Sequence, residues 1–181
     1  MTASGVSGGG PSLAGPDADS FRHVLGHYPT GVAVITAQTP DGPVGISMNS
    51  FTSLSLRPPL VLFCPAVTST TWPALRAAGS IAINVLSAGQ ESVSRTFAAR
   101  GADRFAGLDW SLGPSGAPLL HQALGWLECS IRGEYPAGDH FVVIAEIERM
   151  GVHDAIAEPL VFFRGQYYGG VSAAVEADRP D

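Results

Sequence analysis

The chain has 181 residues, 45% of them apolar and only 14% charged, and a formal net charge of −6. That length suits one domain with a substantial core, and the sparse charge points to an oligomer that hides surface between subunits. The acidic balance, with basic residues that are all arginine and scattered, excludes the clustered cations a nucleic-acid partner needs.

Residues 1–16 are rich in Gly, Ser and Pro. They lack a basic start and an apolar h-region, so they are expected to form a disordered tail and not a signal peptide. No apolar run reaches membrane-spanning length. Cys64 and Cys129 sit in apolar runs without disulfide or metal spacing, as small buried hydrophobes of a reducing compartment do. A cytoplasmic protein is expected.

Order is expected from Asp17. Asp17 or Asp19 can cap a short helix carrying Phe21, Val24 and Leu25, stopped before Pro29. The β-branched run GVAVITA (31–37) predicts a buried strand, and PDGP (40–43) a turn. Residues 44–56 then alternate. Ile46, Met48, Leu54 and Leu56 share one face, and Ser47, Asn49, Ser53 and Ser55 the other. After Pro58-Pro59, residues 60–64 predict another buried strand.

Thr68, Ser69, Thr70 and Thr71 before Trp72-Pro73 mark a helix start, with Gly79 as its end. A strand over 81–86 and a helix over 91–100 follow, the helix turning Val93, Phe97 and Ala98 inward. Residues 101–117 read as loop anchored by Phe105 and Trp110. Strands over 126–135 and 140–150 are joined by a hairpin connection, PAGD (136–139). A last strand covers 160–164, and 171–181 return to tail composition. Strands unevenly interspersed with short helices suggest a mainly β fold, a closed or nearly closed antiparallel barrel occupying 17–170, and disfavour a doubly wound parallel sheet.

Between Asp41 and Arg76 the only charge is Arg57, while Ser, Thr and Asn abound. A solvated surface normally carries Lys and Glu, and a plain core excludes hydroxyls that lack partners. Such a stretch suits a neutral-walled site for a ligand with a hydrogen-bonding edge. The polar face of residues 47–55 can equally be the outer face of a half-buried strand. Residues 68–71 can hold a phosphate through hydroxyls and backbone N–H groups, or simply cap the helix. His140, after the Gly138-Asp139 turn, is a ligand contact or a solvent-exposed turn residue. FFRGQYY (162–168) can stack on a ring, fill a subunit interface or sit in the core. The chain lacks HExxH, CxxC, GxSxG, Walker and dinucleotide-binding signatures, so any reactivity would come from a bound cofactor that the protein positions.

Taken in order, YPTGVAVIT (28–36), GISMNSFTSLS (45–55), PPLVLFC (58–64), DRFAG (103–107), LEC (127–129), GDH (138–140) and PLVFFR (159–164) resemble the flavin reductase family that serves two-component flavin monooxygenases. The resemblance runs from Phe21 to Gly170. It implies an FMN-binding split β-barrel with flavin at a homodimer interface. Ser47, Met48, Asn49, Ser50, Ser53, Leu54 and Ser55 would line the isoalloxazine and ribityl chain. Ser69, Thr70, Thr71 and Arg104 would lie near the phosphate end, Phe97 would form an apolar wall, and Thr30 and Cys64 would complete the flavin set. His140 and Tyr167 would meet the nicotinamide nucleotide. The family often has Ala where Met48 stands, and lysine at the phosphate end, which this chain lacks.

The activity so implied is NADH- or NADPH-dependent reduction of FAD or FMN, with reduced flavin diffusing to a separate monooxygenase. The absence of a cation pair for a 2′-phosphate favours NADH. The alternatives are a flavin- or haem-binding carrier or sensor without reductase activity, an oxidase of the pyridoxamine-phosphate type, which would want more clustered cations, and a non-catalytic interaction module.

Overall fold

A computed structural model describes residues 17–101, 103–153 and 158–169; the expected tails over 1–16 and 171–181 lie outside the described residues. In chain order the elements are α1 (Ala18–Leu25), β1 (Thr30–Gly31), β2 (Ala33–Thr39), β3 (Gly42–Met48), β4 (Thr52–Leu56), β5 (Pro59–Phe63), α2 (Trp72–Ala78), β6 (Ser80–Val85), α3 (Glu91–Ala98), β7 (Trp110–Leu112), β8 (Pro118–Leu120), β9 (Gly125–Ala137), β10 (His140–Val152), β11 (Leu160–Phe163) and β12 (Gln166–Gly169). Among the described residues no helix is long and apolar enough to cross a membrane.

Seven strands form one sheet in the order β3-β2-β6-β9-β10-β5-β4, every neighbouring pair antiparallel. Its two edge strands, β3 and β4, are consecutive in the chain and joined only by residues 49–51. A link that short reaches at most about 14 Å. The sheet must therefore curl until its edges nearly meet, which makes a barrel split along the β3–β4 seam.

The pleat of β2 sorts the core. Ala33, Ile35 and Ala37 point inward, with Met48, Val61, Phe63, Ile81, Ile83 and Cys129. Trp72 and Leu75 of α2 belong to the same cluster, so α2 plugs the barrel. Trp72 Nε1 donates to Glu134 Oε2 at 2.7 Å, which anchors the plug to β9. Val34, on the other face of β2, joins Leu86, Phe97, Phe105, Leu120 and Leu160 in a second cluster. Thr36 and Asn84 lie buried on that outer face and bind the β7–β8 hairpin: Thr36 Oγ1 donates to Pro118 O, and Leu120 N donates to Asn84 Oδ1 at 2.8 Å. A separate sheet, β1-β11-β12, flanks the barrel.

Several expectations need correction. The alternating run over 44–56 is two strands on opposite edges of the sheet, and Leu54 and Leu56 are 45% and 90% exposed. Alternation registers the local pleat and is blind to a break that keeps its phase. The span 101–117 contains β7, and the last strand turns back at Arg164-Gly165 into β12. The expected cap of α1 is present, with Asp17 the one of the two candidates that is used: its Oδ1 accepts from Asp19 N at 3.0 Å and Ser20 N at 2.7 Å. No residue of α1 is buried.

Candidate functional site

The barrel seam opens into a cavity of about 320 Å³. The end of β3 and the following break supply Ser47, Met48, Asn49 and Ser50; the segment after β5 supplies Cys64 and Ala66; the approach to α2 supplies Thr68, Ser69, Thr70 and Thr71. Phe97, Ala98, Arg100 and Arg104 close another side, and His140 enters from the tip of the β9–β10 hairpin. Among the described residues the lining contains no Asp or Glu.

Local bonds explain how each group reaches its place. Ser50 Oγ accepts from Cys64 N at 3.0 Å and donates to Cys64 O at 3.3 Å, which ties the break to the end of β5. Ser69 Oγ accepts from Trp72 N, the first residue of α2, at 3.1 Å, while the N-cap position itself is Thr71. Thr71 makes no side-chain cap bond; its hydroxyl accepts from Arg104 Nη1 at 2.7 Å. Thr68 and Thr70 are exposed at the cavity mouth, and no hydrogen bond is recorded for either hydroxyl among the described residues. Arg104 also donates to Gly45 O and Ala99 O, so most of its donors are engaged. Partial burial lowers its pKa below the ordinary guanidinium value.

The hairpin turns tightly at Gly138 (φ +66°) and Asp139, and its tip is stapled to the segment after β5. Val67 N donates to Asp139 O and Phe141 N to Pro65 O, both at 2.9 Å. His140 thus stands beside the hydroxyl-rich approach to α2. Its Nδ1 lies 2.7 Å from Asp139 Oδ1, and the Asp139 carboxyl is held below its ordinary 3.8, first by that hydrogen bond and then by the charge of His140. Burial raises the Cys64 thiol above 9.0, so it is protonated at neutral pH and offers no thiolate nucleophile.

The cavity gathers Ser47, Met48, Asn49, Ser50, Cys64, Ser69, Thr70, Thr71, Phe97, Arg104 and His140. Tyr167 lines an adjoining cavity of about 180 Å³ that shares Ser47, Met48, Asn49 and Ala98 with the first. Thr30 lines a third, of about 550 Å³, which meets the break at Asn49 and Ser50. Its Oγ1 is buried and has no hydrogen-bond partner among the described residues. Ser53, Leu54 and Ser55 stand apart on β4, with Ser53 and Leu54 exposed in the single chain. The sequence reading did not single out Arg100 or Ser94. Arg100 is exposed at the cavity edge with no ion pair recorded among the described residues. Ser94 is fully buried on α3, its hydroxyl 2.8 Å from Ser47 Oγ. A serine three residues before Phe97, on the inward face of the helix, was the available signal.

The residues fit a flavin. A wall of hydroxyls, one amide and apolar groups, free of carboxylates, suits an uncharged ring with a polar edge. Arginines 100 and 104 in the lining suit an anionic tail.

The family model described as "Flavin reductase like domain" matches residues 25–170. The reductase subunit HsaB of a flavin-dependent monooxygenase from Mycobacterium tuberculosis is 42% identical over 154 residues, covering 84% of this chain and 82% of that one. The FMN reductase (NADH) SmoA of Agrobacterium fabrum is 42% identical over 153 residues, covering 84% and 86%. The NADH:FAD oxidoreductase SgcE6 of Streptomyces globisporus, solved in complex with NAD and FAD fragments, superposes with a TM-score of 0.84 at 39% identity, over 91% of this chain and 99% of that one.

Proposed function

This chain belongs to the flavin reductase family, and we propose that the seam cavity is where it holds flavin beside reduced nicotinamide nucleotide. The protein is an NADH-dependent flavin reductase that reduces FAD or FMN and serves a flavin-dependent monooxygenase. The observation that carries the assignment of the site is the convergence of Ser47, Asn49, Ser50, Thr70, Thr71, Arg104 and His140 on one cavity without a carboxylate.

Bound flavin supplies the redox chemistry as acceptor of the hydride that NADH brings. The chain supplies position and a fitted electrostatic surface. Ser47, Met48, Asn49 and Ser50 hold the ring edge at the seam, and Phe97 sets an apolar wall. Ser69, Thr70, Thr71, Arg100 and Arg104 receive the phosphate end. His140 orients the nicotinamide nucleotide, steadied by Asp139, and the ring of Tyr167 walls the smaller cavity alongside it. Thr30 borders the third cavity next to Asn49 and Ser50. Because most contacts are neutral, reduced flavin can leave and reach the monooxygenase by diffusion.

Ser53, Leu54 and Ser55 join the site from an interface with a second copy, formed along the exposed edge strand β4. The 90% exposure of Leu56 and the sparse charge of the chain support that homodimer. A cytoplasmic location suits the unpaired Cys64 and Cys129.

Stopped-flow mixing of the protein with NADH and either FAD or FMN tests the site. The flavin absorbance bleaches above the uncatalysed background, and Asn49→Asp, which adds a carboxylate to the neutral wall, raises the flavin Kd at least tenfold. An unchanged Kd in that variant would place the flavin elsewhere.

A further inference from the structure

Ser47, Ser94 and Tyr167 form a chain of three hydroxyls. Ser47 Oγ is 2.8 Å from Ser94 Oγ, and Ser94 Oγ is 2.9 Å from Tyr167 OH. Ser47 borders the seam cavity and the smaller one, and Tyr167 borders the smaller one. Ser94 between them is fully buried. A buried hydroxyl is tolerated where its bonds are made inside the protein, and this one has Ser47 on one side and Tyr167 on the other. The far end is fixed: the Tyr167 ring meets Phe162 edge-on at 5.1 Å, and the Arg95 guanidinium lies 4.8 Å above it. Arg95 is itself held by Glu91 at 2.8 Å.

We propose that Ser94 and Tyr167 are positioning residues that hold Ser47 Oγ at the cavity wall with its lone pairs turned to the flavin ring edge. This rests on the reading of the seam cavity as the flavin site. Each hydroxyl carries one proton and can rotate. Ser94 donates to Tyr167, so Ser94 Oγ accepts from Ser47, and the lone pairs of Ser47 face the cavity. That arrangement matches a ligand whose edge gains an N–H donor when reduced.

The test measures dissociation constants for oxidised FAD, by fluorescence, and for reduced FAD, by anaerobic titration, in the unmodified protein, Ser94→Ala and Tyr167→Phe. Both variants should change the ratio of the two constants in the same direction by about threefold to tenfold, the size expected for one hydrogen bond that only one redox form can make. A purely structural role would weaken both constants equally and leave the ratio unchanged, and that result overturns the proposal. Should Ser94→Ala fail to fold, Tyr167→Phe, which removes one oxygen from a half-buried ring, decides alone. Failure of the unmodified protein to bind either form would instead overturn the reading of the cavity itself.

Discussion

Arg104 Nη1 donates to Thr71 Oγ1 at 2.7 Å, so the cation that closes one end of the cavity is tied to the residue that leads into α2. The same guanidinium reaches Gly45 O on β3 and Ala99 O after α3. One planar fork therefore joins three elements, a task to which the compact ammonium of a lysine, with its three donors on one atom, is poorly matched. Arg100, which also lines the cavity, is exposed and has no ion pair among the described residues.

The two arginines should separate on substitution. Arg104→Lys loses two or more charge-assisted bonds and should lower unfolding free energy by about 1–3 kcal/mol. Arg100→Ala should leave the denaturant midpoint nearly unchanged while weakening flavin binding roughly tenfold, the loss of one charged contact to an anion. Chemical denaturation and flavin titration on both variants check this. A large stability loss in Arg100→Ala, or none in Arg104→Lys, would reverse the roles.

Asp139 and His140 make a pH-dependent contact. The folded Asp139 carboxyl is depressed below 3.8 by the hydrogen bond to His140 and then by its charge. A depressed carboxylate contributes fully above its ordinary value and loses that contribution as pH falls through the lowered folded value. NMR titration of the Asp139 side-chain carbon should give a midpoint below 3.8, returning toward 3.8 in His140→Ala. The same variant should raise the NADH KM several-fold and leave the flavin Kd nearly constant. An unmoved Asp139 midpoint would mean that the pair is not formed in solution.

Gly45 lies where β3 passes beneath α3. A Cβ there would stand 2.5 Å from Phe97 Cε1 and 3.0 Å from Ile35 O. Phe97 is fully buried and edge-on to Phe105 at 5.1 Å, so it has little room to retreat. Gly45→Ala should cost about 1–3 kcal/mol through overpacking and displace the cavity wall that Phe97 forms. Thermal unfolding reads the first effect and flavin affinity the second. A variant with unchanged Tm would show that α3 can shift without penalty.

The local chemistry of this site was legible in the sequence, and its assembly was not. The hydroxyls of 68–71 and Asn49 were identifiable because small polar residues in an uncharged stretch need partners, whereas His140 stood out only by its place after the Gly138-Asp139 turn and its match to the family's GDH. Composition could not reveal that Ser47 and Ser53 sit on opposite edges of one sheet, because alternation survives a three-residue break and strand order depends on partners distant in the chain. Ser94 was missed for a related reason. A polar residue on the inward face of a helix looks like a blemish until Ser47 and Tyr167, distant in sequence, arrive beside it. The β11–β12 turn requires Arg164 at φ +51° and Gly165 at φ +77°, and only the glycine advertises that conformation.

The edge strand β4 carries the last prediction. Leu54 and Leu56 are 45% and 90% exposed on it, beside the seam on which the cavity opens. An exposed apolar edge invites pairing with another chain, and covering one leucine contributes about 1.5–3 kcal/mol. Twofold symmetry makes each substitution count twice, so Leu56→Asp should weaken self-association by at least a hundredfold. Light scattering coupled to size-exclusion chromatography should show a dimer for the unmodified protein and a monomer for the variant. If Ser53 and Ser55 reach flavin across that interface, the monomer should also bind flavin more weakly. A variant that stays dimeric with intact flavin affinity would move the interface away from β4.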